Sequence, residues 1–187
     1  KIRNSMPQSN TLIAKKVSTK EKIKALFLSG HVAGETIVPE HIETVMSHVF
    51  LFPERVYKIY KGDNEWFNKN FNDLSEQTKR FEFAKNDFYW NRALCPEIYT
   101  HIMGTEIQEG KIVFNEYSLN SSEVVIIMNR LDSKSFLFNQ IIGGSFSTKD
   151  YAACGHSFAE RLSTLRGEQY VVPSPTWNKR IEKRLGD

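Results

Sequence analysis

The sequence predicts an α+β fold: an antiparallel sheet of about five strands, one long helix against it, then two or three helices that open a second unit. Three observations carry this. The run Arg55-Val-Tyr-Lys-Ile-Tyr-Lys61 alternates strictly, so Val56, Lys58 and Tyr60 share one face and Tyr57, Ile59 and Lys61 the other. The stretch from Asp73 to about Leu94 holds neither Gly nor Pro and reads as the longest helix. Beyond Asp132 the periodicity turns helical and stays so.

Residues up to Val17 are polar and unpatterned. Ser18-Thr-Lys-Glu21 then offers a capping box ahead of Ile23, Leu26 and Phe27, predicting a short helix that ends near Gly30. After Gly34 and Pro39 the composition becomes β-like. Glu43 to Phe52 and Arg55 to Lys61, separated by Pro53-Glu54, read as a β-hairpin in which Lys58 or Lys61 points inward.

Asp73-Leu-Ser-Glu76 is a second capping box, and Phe81, Ala84, Phe88 and Asn91 follow it at helical spacing along a buried face. Cys95-Pro96 ends that helix. Ile98 to Gln108, a Glu109-Gly110 turn, Lys111 to Asn115 and Ser122 to Leu131 are three further strands. The last, with its Val124-Val-Ile-Ile-Met128 run, is apolar enough to be central.

Ser147-Thr-Lys-Asp150 caps a helix with Tyr151, Gly155, Phe158, Leu162 and Leu165 on one stripe. Ser174-Pro175 starts a final one with Trp177, Ile181 and Leu185 in register. The boundary falls at Leu131 to Asp132, giving units 1–131 and 132–187.

Composition bounds the function. The 187 residues, 40% hydrophobic and 25% charged, belong to a folded chain rather than a disordered one. No apolar run reaches membrane-spanning length, so no membrane partner and a cytoplasmic location are expected. The chain begins without Met, so its natural amino-terminus is expected to have been cut away or renumbered. A net charge of +3 does not call for a nucleic acid. The basic run Lys179 to Arg184 reads as a solvated helix face. Cys95 and Cys154 read as reduced, buried thiols.

A strand lysine, a long helix, then a meander ending in an apolar strand and a switch to helices is the layout of a protein-kinase-like small lobe. There a strand lysine neutralises nucleotide phosphates, a carboxylate on the long helix keeps it extended, and the last strand leads to backbone groups that read adenine. The plainer alternative is a lysine on an exposed edge strand, where it only blunts aggregation.

Ser47-His-Val-Phe-Leu, Arg55-Val-Tyr-Lys-Ile-Tyr-Lys61, Phe71-Asn-Asp-Leu-Ser75 and Asn91-Arg-Ala-Leu-Cys-Pro-Glu-Ile-Tyr99 together resemble the amino-terminal lobe of the aminoglycoside phosphotransferase-like family. The likeness is to a branch with a similar "VFL…VYKxxK…DFS…LNRxLxPExY" series. Val125 to Leu131 is similar to its hinge strand, and Phe146 to Leu165 to its first large-lobe helix. The resemblance implies an ATP site with Mg²⁺. Lys58 would be the phosphate lysine, Asp87 or Glu82 its helix partner, and Met128, Asn129 and Arg130 the adenine-reading hinge.

Two departures accompany it. No Gly-rich phosphate loop stands between the early strands. The family's His-Gly-Asp catalytic box is absent, because His31, His41, His48, His101 and His156 are followed two positions on by Ala, Glu, Phe, Met and Phe. No catalytic residue and no metal ligand is therefore assigned. Gly110-Lys111 is not a P-loop and Gly143 to Ser147 not a nucleophile elbow. Cys154 and His156, about 200° apart on a helix, do not form a joint metal site.

The sequence thus implies the ATP-binding lobe of a small-molecule phosphotransferase, as a fragment or reduced relative whose missing carboxy-terminal lobe would be its partner. The rival expectation is a non-catalytic interaction module on the same scaffold, burying its open surface against a partner or, as a homodimer, against itself.

Overall fold

The computed structural model describes residues 18–132, 134 and 136–167. It is α+β: six antiparallel strands in one sheet, ordered β1-β2-β3-β6-β4-β5, with helices on both faces. Helix α1 (Thr19–Leu28) starts at the expected capping box, where the Ser18 hydroxyl accepts from the Glu21 amide and the Glu21 carboxylate accepts from the Ser18 amide, both at 3.2 Å. It ends before Gly30, whose φ of +74° is left-handed, and a Cβ there would lie 2.5 Å from the Ile37 carbonyl.

The strand expected from Glu43 to Phe52 is the shorter β2 (Ser47–Leu51), and an unexpected strand, β1 (Glu40–Glu43), precedes it. The two are separated by a turn whose Thr44 Oγ1 accepts from the amides of Met46 (3.3 Å) and Ser47 (2.9 Å). That local bond competes with the ladder, and alternation alone does not reveal it. β1 raises the strand count from about five to six. β3 (Arg55–Tyr60) follows in antiparallel register, with Val49 opposite Lys58 and Leu51 opposite Val56.

Helix α2 (Glu65–Asn70), unforeseen in the sequence, is capped by Asn64, whose side chain accepts from the Phe67 amide at 2.9 Å. Trp66, Phe67 and Phe71 cluster here, but only Phe67 is buried; Trp66 is 62% exposed. Helix α3 (Gln77–Leu94) is the long helix, though Asp73 is not its cap. The Asp73 carboxylate accepts instead from the Ser75 amide and hydroxyl, an Asx turn that delays the helix.

β4 (Tyr99–Gln108), β5 (Lys111–Asn115) and β6 (Glu123–Asn129) fall where the patterns put them. β6 lies between β3 and β4, so the apolar strand is central and neighbours the lysine strand. Helices α4 (Leu137–Ile142) and α5 (Thr148–Gly167) complete the order.

Each sheet face builds its own core. On one, Ile23 and Phe27 of α1 pack against Phe50, Tyr57, Ile59 and Ile127. Both α1 side chains are fully buried, each contributing about 1.5–3 kcal/mol. On the other, Phe81, Ala84 and Phe88 of α3 cover Tyr60, Val124 and Ile126.

Helix α3 is fastened at both ends. Near its start, Arg80 Nη2 donates to Glu123 Oε2 of β6 at 3.2 Å, while Nη1 reaches the Leu74 and Ser75 carbonyls. Near its end, Arg92 Nη1 donates to the Tyr99 and Thr100 carbonyls of β4. Arg161 of α5 adds a bond from Nε to the Ala93 carbonyl at 2.7 Å.

Both cysteines are exposed rather than buried. Cys95 caps α3 in a surface turn, and Cys154 lies on α5, most of whose described face meets solvent. The final helix expected after Ser174 and the basic run at Lys179 to Arg184 lie outside the described residues. Among the described residues no helix is long and apolar enough to cross a membrane.

Candidate functional site

Helix α3 packs mainly across β4 and β6 and meets β3 at Lys58 and Tyr60, leaving β1, β2 and the Val56 end of β3 beside it on this sheet face. Cross-strand partners share a face. The register therefore sets Ile42, Val49, Leu51, Val56 and Met128 on this part of the face together with Lys58. The four beside Ile42 are half-buried and Ile42 is 45% exposed. The result is an apolar strip with one ammonium group at its border.

That ammonium is braced. Lys58 Nζ stands 3.1 Å from Asp87 Oδ2 of α3, with 18% and 23% of the two side chains exposed. It also lies 4.8 Å above the Tyr60 ring, where the aromatic face attracts a cation. The Tyr60 hydroxyl is buried close to Asp87 but short of hydrogen-bond geometry. Burial first, and the Asp87 charge second, push its ionisation far up. Burial likewise raises Tyr99, the next ring along, again with Asp87 contributing.

Of the two acids considered for Lys58, Asp87 makes the contact and Glu82 does not. Glu82 sits exposed on α3, toward Tyr117, whose ionisation it helps to raise. Lys61 points to the opposite face, bonding Glu43 and the Thr44 carbonyl. The plainer alternative of an edge-strand lysine in bulk water is overturned, since β3 is internal and Lys58 is paired.

Sequence reasoning missed one contributor, Asn91, which appeared as a buried-face residue and in the Asn91–Tyr99 stretch of the resemblance but with no role in the site. Its Nδ2 donates to the Asp87 carbonyl at 2.7 Å and to Asp87 Oδ1 at 3.0 Å. The i,i+4 spacing from Asp87 was the available signal.

At the end of β6, Met128 faces the strip. The Asn129 amide donates to the Ile98 carbonyl and the Arg130 amide to the Glu54 carbonyl, both at 2.9 Å. These two N–H groups are spent on holding the strand end. Arg130 Nη1 also bonds the Phe52 carbonyl, and the Asn129 side chain bonds the Glu97 carbonyl. The next amide, Leu131, makes no hydrogen bond among the described residues.

The β1–β2 turn stands at the opposite end of the strip and has no glycine. All three of its carbonyls are engaged: Thr44 by Lys61 Nζ, Val45 by Asn64 Nδ2, and Met46 by the Lys61 amide. It is a fixed wall rather than a wrapping loop.

For a metal the donors do not fit. Among the described residues no three His, Cys, Asp or Glu side chains converge, and Asp87 is occupied by Lys58 and Asn91. A cavity of about 260 Å³ does exist elsewhere, bordered by Lys20, Lys24, His48 and Asp63 near the start of α1. It contains no residue of the Lys58 site.

No family model, curated protein or solved structure matches this chain.

Proposed function

We propose that this chain is the ATP-binding small lobe of a protein-kinase-like, small-molecule phosphotransferase, with the catalytic loop outside it. One observation carries the reading: Lys58, held by Asp87 at 3.1 Å, borders an apolar strip that α3 leaves open. A purine needs a flat apolar surface and its phosphates need a fixed cation beside it. Val56, Leu51 and Met128 supply the first and Lys58 the second. The Leu131 amide is the donor that remains for a base edge at the strand end.

Magnesium would arrive with the triphosphate, since the described residues offer it no carboxylate pair. The fixed β1–β2 turn cannot fold over a γ-phosphate as a Gly-rich loop does, so binding is expected to rest on the base and the first two phosphates.

Calorimetric titration of the whole chain with Mg-ATP tests this. Binding heat and a thermal shift in the wild type, both lost in Lys58→Met with the fold intact, are expected. Neither heat nor shift from the wild type would overturn the reading.

A second reading has its own observation. Phe136, Leu137, Phe138, Ile141 and Ile142 around α4, with Tyr151, Phe158 and Leu162 on α5, are all exposed. A patch of this kind marks an interface. It favours an interaction module, or a lobe that meets a second one there; a tight dimer by light scattering with no ATP heat would select the module.

A further inference from the structure

We infer that Asn91 is a positioning residue for the Lys58–Asp87 pair, fixing the carboxylate so that its other oxygen is presented to the lysine. The inference deepens the nucleotide-binding reading above and rests on it.

An aspartate on a helix has two soft torsions, and one ion pair does not fix both of its oxygens. Here each oxygen has its own partner. Oδ2 takes Lys58 Nζ at 3.1 Å, and Oδ1 takes Asn91 Nδ2 at 3.0 Å. The same Nδ2 reaches the Asp87 carbonyl at 2.7 Å, so it bridges the main chain and side chain of one residue. Both neighbours are acceptors, so only the nitrogen end of the amide can face them, which settles the side chain's orientation.

The chemistry also requires a neutral donor at this place. A lysine or arginine at position 91 would compete with Lys58 for the carboxylate. An aspartate would repel it. An apolar residue would remove the hydrogen bond that Oδ1 receives in the fold. Asparagine one turn later donates without adding charge, leaving the full negative charge for Lys58. The arrangement parallels other sites in which a second residue orients the one that meets the ligand.

The test combines Asn91→Leu, Asp87→Asn and their double variant in the full chain. Two readouts are used: Mg-ATP affinity by calorimetry, and the ¹⁵Nζ ammonium resonance of Lys58, which stays sharp only while the ion pair slows exchange. Asn91→Leu is expected to weaken Mg-ATP about tenfold, the value of one hydrogen bond to a charged group. It should broaden the Lys58 signal as Asp87→Asn does, and add nothing to Asp87→Asn.

An unchanged Lys58 signal in Asn91→Leu, or a loss that adds to that of Asp87→Asn, overturns the inference. If the leucine variant does not fold, Asn91→Ala, which removes the donor without adding charge, must give the same loss, and a sharp Lys58 signal there overturns it. Should the wild type give no Mg-ATP heat, the nucleotide reading fails by itself, and the Lys58 resonance alone then decides the role of Asn91.

Discussion

Arg80 of α3 and Glu123 of β6 form an ion pair inside the fold, Nη2 to Oε2 at 3.2 Å, with 9% and 1% of their side chains exposed. Burial drives the Glu123 ionisation up, and the Arg80 charge and the Val124 amide pull it back. The pair is expensive to form and more expensive to halve.

Arg80→Met should therefore destabilise the fold by about 3–5 kcal/mol in urea denaturation at pH 8. A carboxylate whose folded pKa lies above its unfolded one loses stability as pH rises through that window. The cost of Arg80→Met should accordingly be smaller at pH 5, where a stranded Glu123 can take a proton. The double variant Arg80→Met/Glu123→Leu should recover part of the loss at pH 8. Equal costs at the two pH values would contradict the assignment.

His48 gives the opposite sign. It is 3% exposed, its Nδ1 lies 3.2 Å from His41 Nε2, and burial lowers it to about 4, helped by Lys24, His41 and Lys61 against Glu43. A histidine with a depressed folded pKa binds its proton more readily unfolded, so stability should be full above pH 6.5 and decline toward pH 4. A loss of about 1–2 kcal/mol between pH 7 and pH 5 is expected from this site. His48→Phe should flatten that part of the pH–stability curve; an unaltered slope would remove His48 from the account.

Gly104 lies within β4, and a Cβ there would come 2.1 Å from Ser121 Oγ and 2.7 Å from Asn115 Oδ1. Its side-chain space is filled by the Ser118–Ser121 turn that precedes β6. Gly104→Ala should cost about 1–3 kcal/mol by displacing that turn. Thermal unfolding, with Gly110→Ala at the strained β4–β5 turn for comparison, measures it; an unchanged melting temperature for Gly104→Ala would show the turn yields.

Val49 stands directly across from Lys58 on the uncovered strip. Val49→Glu would set a second carboxylate within reach of the ammonium and against incoming phosphates. Mg-ATP affinity should fall at least about tenfold while the melting temperature stays close to that of the wild type, because position 49 is only half-buried. Retained affinity would put the nucleotide somewhere other than this strip.

Much of the fold was legible because its elements announce themselves locally. The Ser18–Glu21 box, the alternation of Arg55 to Tyr60 and the apolar run of β6 each follow from neighbours in sequence. What escaped depends on side chains that turn back on their own backbone. Thr44 turns the chain at the start of a run that hydropathy reads as strand, and Asp73 spends its carboxylate on Ser75 instead of the helix. In the site, Lys58 could be named from the alternation of its strand, whereas Asp87 and Glu82 were offered only by the family resemblance. Choosing between Asp87 and Glu82 needed the phase of α3 relative to β3, and that is fixed by Phe81, Ala84 and Phe88 meeting the sheet. The role of Asn91 needed coordinates, since Asn at i+4 from Asp is common on any polar helix face.

The two arginine tethers of α3 bear on control. In phosphotransferases switched by helix displacement, the strand lysine is disarmed when its helix rotates away. Rotating α3 would drag the Arg80 guanidinium off a buried carboxylate and tear Arg92 from two carbonyls, a penalty no modest signal could offset. On the proposed nucleotide-binding reading, Lys58 would therefore stay in its braced position, and any throttle would have to act on what approaches the strip instead of on the helix behind it.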